Sequence, residues 1–284
     1  LNRPNSQLLE RMKYYIKPEK TETDFLKINS PEEIKVCDPA CGSGHMLVYA
    51  FDLLYAIYEE EGYDPSEISE KILKLNLFGI EIDKRAGELA AFALAMKARK
   101  KDRNLFRKPV QPNICVLQNI VFEDGELNTY MAAVGSELFT NDIHATLLQF
   151  NEADNFGSLI RPKTTDVANI LNILESKNLS GNLSLFSTHQ KVIQALKQAD
   201  YLIPKYNVVI ANPPYMGGKW MNARLKSFLQ DYYADAKSDQ FSAFILRNTE
   251  LVVFKGQLGF VTPYVWMFIS SYEKIGRASC RERV

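Results

Sequence analysis

Tyr206-Asn207-Val208-Val209-Ile210-Ala211-Asn212-Pro213-Pro214-Tyr215 is a β-branched apolar run that stops at two prolines. The run predicts a buried strand, and the prolines deny it both a sheet ladder and a helix. The strand must therefore end abruptly in an amide, two rigid carbonyls and an exposed aromatic ring. Such an ending is costly unless it binds something. The rest of the chain reads as a scaffold for this stretch.

Far upstream, Ile34-Lys35-Val36-Cys37-Asp38 reads as another strand, Pro39-Ala40-Cys41-Gly42-Ser43-Gly44 as a tight loop, and His45 to Phe51 as a buried helix. Glycines are needed where a backbone turns sharply and approaches a ligand closely. Asp38, at the strand end, can accept from a ligand cation or from loop amides. No Gly-Lys-Ser/Thr follows, so this is not a nucleotide P-loop, and Leu47 stands where a dinucleotide loop has its third glycine. A loop facing a neutral or cationic group rather than a phosphate suits an adenosyl ligand. Leu77 to Asp83 reads as the next strand, followed by an Ala-rich helix from Lys84 to about Lys100. Glu81 lies at that strand's C-terminal end, where α/β sheets bind ligands, and a carboxylate there can accept both hydroxyls of a ribose. Asp83 is better placed to cap the helix.

Asn113 to Leu117 reads as a third strand ending at Gln118-Asn119, and Gly259 to Pro263 as a fifth. The alternation predicts an α/β, doubly wound, Rossmann-like sheet with helices on both faces. The stretch of about 120–204 is too long for a simple connection and reads as a mainly helical insertion. Helical patterns cover Glu137–Phe150, Asp166–Leu174 and His189–Ala199, with Asp154-Asn155-Phe156-Gly157-Ser158 read as an ordinary turn. Further helices are expected at Ser6–Ile16, Pro65–Leu75, Asn222–Tyr233 and Asp239–Phe254, with a loop from Pro18 to Asn29. Met216-Gly217-Gly218-Lys219-Trp220 reads as a flexible, partly cationic loop beside the proline motif.

The chain has 284 residues, 46% hydrophobic and 24% charged, the composition of a globular α/β protein. Lys+Arg and Asp+Glu both count 34, so net charge gives nucleic-acid binding no support. The most basic cluster, Lys97 to Lys108, falls at the end of a helix that starts at the ligand edge, and it faces the opposite way. No stretch suits a membrane span and no signal peptide opens the chain. The four cysteines lack framework spacing, which suggests a reducing compartment. Cys37 and Cys41 lack the partners of a metal site and read as small buried residues. His45 reads as a helix-start residue rather than a catalyst. Leu1 is not a start methionine, and Ile275 to Val284 reads as translated sequencing adapter. The expected organisation is an N-terminal helical segment (1–30), a catalytic domain (31–274) and an adapter-like tail (275–284). A piece truncated at both ends is expected, with the last sheet strands and a target-recognition domain absent.

Asp38-Pro39-Ala40-Cys41-Gly42-Ser43-Gly44, Gly79-Ile80-Glu81-Ile82-Asp83 and Asn212-Pro213-Pro214-Tyr215 together resemble the DNA amino-methyltransferases that use S-adenosylmethionine, in their gamma motif order. Asn2-Arg3-Pro4-Asn5-Ser6, Leu9-Glu10-Arg11-Met12 and Tyr215 to Met221 are similar to the PglX-type adenine methyltransferases of BREX phage-defence systems. The resemblance covers residues 1–274. It implies a methyltransferase sheet acting on the N6 amine of a flipped-out adenine in double-stranded DNA, in the bacterial cytoplasm, with other phage-defence subunits as partners and without metal or membrane. It implies that Asp38, Ala40, Gly42 and Gly44 hold the methionine end of the cofactor, Glu81 the ribose, and Ile82 the adenine. Asn212 and the Pro213 carbonyl would accept from the target amine, Pro214 would belong to the same catalytic motif, and Tyr215 would stack on the base. Lys219 and Trp220 would meet DNA. The family often carries an aspartate after the third strand for the cofactor adenine, whereas Gln118 or Asn119 stands here. Cytosine N4 and protein glutamine amides suit the same acceptors, and a non-catalytic modification subunit remains a further alternative.

Overall fold

Alternate strand residues enter two separate apolar cores. Val36, Leu77, Ile114, Val208 and Ile210 face one, while Cys37, Phe78, Cys115 and Val209 face the other. This is the signature of a parallel sheet covered on both sides. In the computed structural model, which describes residues 6–12, 24–107, 110–177, 182–268 and 272, the strands are β1 (Val36–Asp38), β2 (Leu77–Glu81), β3 (Asn113–Val116), β4 (Tyr206–Ala211) and β5 (Val252–Phe260). They form one parallel sheet in the order β3-β2-β1-β4-β5. The order reverses between β1 and β4, so a crevice opens at their C-terminal ends.

The helices are α1 (Leu8–Arg11), α2 (His45–Glu60), α3 (Pro65–Lys71), α4 (Lys84–Lys101), α5 (Glu126–Val134), α6 (Asn141–Leu148), α7 (Ala153–Phe156), α8 (Val167–Glu175), α9 (Leu183–Tyr201), α10 (Ala223–Tyr232) and α11 (Gln240–Leu251). α2, α3 and α4 build the first core; the helices from α5 onward supply most of the second. Several helices start where a short polar side chain caps the first turn. Asp83 accepts from the Arg85 and Ala86 N–H groups, Asn222 from Leu225, and Asp239 from Phe241.

Three readings of the sequence change. Residues 252–254, read as helix, open β5, because α11 ends at Leu251 and the chain enters the sheet without a loop, and residues 261–263, read as the end of the fifth strand, lie past its last residue, Phe260. Near its start β5 bulges: Tyr206 pairs with Val252 but Val208 with Gln257, so β5 carries three more residues than β4 between these pairs, and Lys255 among them stands at φ 62°. α5 was not foreseen. The helix read over Pro65–Leu75 is α only to Lys71, then widens to a π turn over Ile72–Asn76.

The basic cluster lies at the far end of α4, which at about 1.5 Å per residue puts it on the order of 25 Å from Glu81. Lys97 pairs with Asp52, Arg99 lies over Phe106 and Lys101 over Tyr55. Tyr15, Ile16, Pro18, Lys108, Asn2 to Asn5 and the adapter-like tail lie outside the described residues.

Candidate active site

β1 delivers Asp38 to the crevice with 2% of its surface exposed. Its hydrogen-bond donor is the Ala40 N–H at 3.1 Å. Burial pushes its carboxyl up to about 7 from 3.8; the Ala40 bond opposes this and the Glu81 charge adds to it. Gly42 follows at φ 52° with open space where a side chain would stand, so its backbone is free to approach a ligand. Gly44 is the N-cap of α2, and a Cβ there would meet Ala90 at 3.0 Å, so its smallness serves helix packing. His45, exposed, is the first residue of α2.

Glu81 ends β2 and clasps the glycine loop. Its Oε2 accepts from Gly42 N–H at 2.8 Å, and its Oε1 from Ile82 and Asp83 N–H at 2.8 and 3.0 Å. A carboxylate has about four acceptor positions, so roughly one remains. Accepting two ribose hydroxyls, as read from the sequence, requires the Gly42 N–H to turn away. Ile82 beside it is 44% exposed, an apolar side chain held out over the crevice.

β4 ends in the proline motif. Asn212 is exposed, Pro213 buried and Pro214 exposed. The Tyr215 hydroxyl lies 2.8 Å from the Val261 carbonyl and 3.1 Å from Asn212 Oδ1, so its one proton ties the motif to the end of β5. Its ring stays 54% exposed and meets Phe241 edge-on at 6.1 Å. Lys219 and Trp220 are exposed on the following loop, Trp220 by 84%. That loop is pinned rather than loose: Met216 N–H donates to Asp239 Oδ1, Gly218 N–H to the Ser238 carbonyl, and Gln240 N–H to the Met216 carbonyl.

The largest correction concerns Asp154 to Ser158. Read as an ordinary turn, this segment forms the roof of the site, where Asn155, Phe156, Gly157 and Ser158 line the cavity. It is held there from every side. Ser158 Oγ donates to the Pro39 carbonyl, Arg247 Nε donates to the Ser158 carbonyl, and Asn222 Nδ2 donates to Asn155 Oδ1. Phe156 stacks on Phe228 with centroids 4.2 Å apart. Gly157 crosses Ile82 at φ 57°, and a Cβ there would stand 3.1 Å from Ile82 Cγ2. Asn119 Oδ1 accepts from Asp154 N–H, whereas Gln118 is tied to Gln194 and Gln198; neither lines the cavity.

The cavity measures about 270 Å³ and joins both halves of the site. Of the residues singled out in the sequence, Ala40, Glu81, Ile82, Asn212 and Pro214 line it; Asp38, Gly42, Gly44, Pro213, Tyr215, Lys219 and Trp220 do not. Gln240 and Phe244 of α11 close its far side, and neither was foreseen. The donor set suits a ligand with a flat heterocycle, hydroxyl groups and an amine. Among the described residues no cluster of His, Cys, Asp and Glu could hold a metal ion, and no helix is long and apolar enough to cross a membrane.

The family model described as Eco57I restriction-modification methylase matches residues 75–280, and that of the MmeI DNA-methyltransferase domain matches residues 19–116. An adenine-specific methyltransferase BrxX of Escherichia coli O9:H4 (strain HS) is 37% identical over 96% of this chain and 25% of its own length. An adenine-specific methyltransferase PglX of Lacticaseibacillus casei (strain Zhang) is 33% identical over 86% of this chain and 21% of its own. A solved structure of a nuclease-deletion mutant of the Type ISP restriction-modification enzyme LlaGI, in complex with a DNA substrate mimic, matches 87% of this chain and 17% of that chain at 17% identity, with a TM-score of 0.48. The chain thus spans about a quarter of the length of the curated relatives it matches. By the residues that its model matches, this chain belongs to the Eco57I restriction-modification methylase family.

Proposed function

We propose that this chain is the catalytic part of a DNA methyltransferase that transfers a methyl group from S-adenosylmethionine to the N6 amine of an adenine turned out of the duplex. One observation carries the reading. Glu81 and Ile82 at the end of β2, and Asn212 at the end of β4, line a single cavity. An adenosyl group on the first pair and an amine at Asn212 would therefore lie side by side.

The residues present fit the cofactor. The buried Asp38 carboxyl, with one backbone donor, complements an ammonium group, and the Gly42 loop gives it room. Glu81 has acceptor capacity for a ribose hydroxyl. Ile82 and Phe156 line the same cavity and would flank a flat ring, and Asn155 beside them would meet its edge in place of Gln118 or Asn119. When bound, S-adenosylmethionine supplies an electrophilic methyl group on a sulfonium.

The chain's own work is orientation and electrostatics. An exocyclic adenine amine is a weak nucleophile because its lone pair is delocalised into the ring. Asn212 Oδ1 and the Pro213 carbonyl accept its two hydrogens and draw the lone pair out of conjugation. No proton need leave before attack, so the reaction requires neither a histidine nor a cysteine base. The exposed Tyr215 ring offers the flipped base a stacking surface, worth roughly 1–3 kcal/mol for a base on an aromatic. Lys219 and Trp220 lie on the same edge, ready to meet the DNA.

The resemblance to PglX-type enzymes extends the proposal to phage defence in the bacterial cytoplasm, with double-stranded DNA and other defence subunits as partners. The test is methyl transfer by the intact protein from labelled S-adenosylmethionine to DNA. Label on adenine supports the reading. Label on cytosine or on protein, or none despite bound cofactor, refutes it.

A further inference from the structure

Gln240 is 8% exposed, and its Oε1 is buried without a hydrogen-bond partner among the described residues. Gln149 and Asn248 carry unpaired buried atoms too, but neither lines the cavity that Gln240 shares with Asn212, Ile82 and Phe156. Buried amides are normally paired, so an unmet acceptor at a ligand cavity calls for a ligand donor.

The backbone that carries this side chain is held firmly in place. Asp239 caps α11 and accepts from Met216 N–H at 3.2 Å, while Gln240 N–H donates to the Met216 carbonyl at 3.0 Å. Met216 directly follows Tyr215, so Gln240 is stapled to the proline motif. Folding alone would favour an apolar side chain here, because Phe244 and Pro214 line the same wall. A glutamine amide offers a donor and an acceptor side by side in one plane. That pattern matches an adenine edge, whose exocyclic amine donates while the neighbouring ring nitrogen accepts. A lone hydroxyl or ammonium would leave half of the amide unused. The apolar faces of Ile82 and Phe156 favour a flat ring in the same space.

We infer that Gln240 reads an adenine edge in this cavity, Oε1 accepting from the exocyclic amine and Nε2 donating to a ring nitrogen. The inference rests on the methyltransferase reading, which brings two adenines to the site: that of the cofactor and that of the target.

The test compares wild type with Gln240→Leu and Gln240→Met in the intact protein. Calorimetry measures S-adenosylhomocysteine and its inosine counterpart, whose ring lacks the amine. Kinetics measure KM for unmethylated genomic DNA at saturating cofactor. Thermal melts of the free protein should be unchanged or raised, since the orphaned amide is gone; a purely structural role would lower them. If Gln240 reads the cofactor, both variants bind S-adenosylhomocysteine about ten-fold more weakly and lose the preference over the inosine form. If it reads the target, cofactor affinity holds while KM for DNA rises about ten-fold. If neither changes in variants that fold, the inference is overturned. A wild type that binds S-adenosylhomocysteine but does not discriminate it from the inosine form, with no DNA effect in the variants, also overturns it and leaves the methyltransferase reading intact. A wild type that binds no S-adenosylhomocysteine sinks both.

Discussion

Protonation of Asp38 should control cofactor affinity. Its carboxyl is held up at about 7, chiefly by burial, with the Ala40 N–H working against the shift and the Glu81 charge with it. Below that pH the free protein carries a neutral Asp38. Binding an ammonium group opposite it favours the carboxylate, so ligand binding must expel a proton. With a free-state value of about 7 and the carboxylate ionised throughout this window once the ammonium is bound, Kd scales as 1 + 10^(7 − pH), about 1.1 at pH 8 and about 11 at pH 6. Affinity for S-adenosylhomocysteine should thus fall about ten-fold from pH 8 to pH 6. Calorimetry in buffers of different ionisation enthalpy should register about one proton released at pH 6 and about a tenth at pH 8. Stability responds to pH with the opposite sign. Between the ordinary 3.8 and about 7 the folded chain holds a proton that the unfolded chain has lost. The Asp38 contribution to stability therefore declines as pH rises across that window and levels off above it. Asp38→Asn should remove both effects, leaving weak binding that does not vary with pH. A flat Kd from pH 6 to pH 8 in wild type, or an equal slope in Asp38→Asn, would refute the assignment.

Asn212→Ala should lower methyl transfer at least 100-fold while cofactor Kd stays within about three-fold, because the acceptor faces the target amine and not the cofactor; calorimetry and single-turnover rates read the two separately. Gly79→Ala should destabilise the fold by about 1–3 kcal/mol in urea unfolding. A Cβ there would stand 2.6 Å from Ile114 Cδ1 and 2.9 Å from Leu47 Cδ1, inside the first core. Asn119→Ala should loosen the roof by removing the acceptor of Asp154 N–H, raising cofactor Kd several-fold at a stability loss of about 1 kcal/mol. An unchanged Kd in that variant would mean the roof does not depend on its tether.

The sheet was readable because its signals are local. The apolar runs end at Asp38, Glu81 and Ala211, just ahead of a glycine loop, a helix cap and two prolines, and Asp83 caps its helix within three residues. The roof was not readable. Asn155, Gly157 and Ser158 have the composition of any turn, and their role arises only when Arg247, Asn222 and Pro39, all far away in the chain, hold the segment over Ile82. Gln240 was hidden for the same reason, as one polar residue at a helix start until α11 turns it inward. The α11–β5 boundary was missed because Val252–Phe254 continues an apolar run with no breaker, and the bulge at Lys255 is set by pairing with β4. Glu81 was placed at the right strand end, but its three backbone donors come from how the loop folds, which spacing does not show.

The most direct test of the account is the nucleoside composition of DNA after incubation with the intact protein and S-adenosylmethionine, read by mass. The account expects N6-methyladenine, absent from DNA treated with Asn212→Ala. N4-methylcytosine, or N6-methyladenine at equal levels from the Asn212→Ala protein, would contradict it.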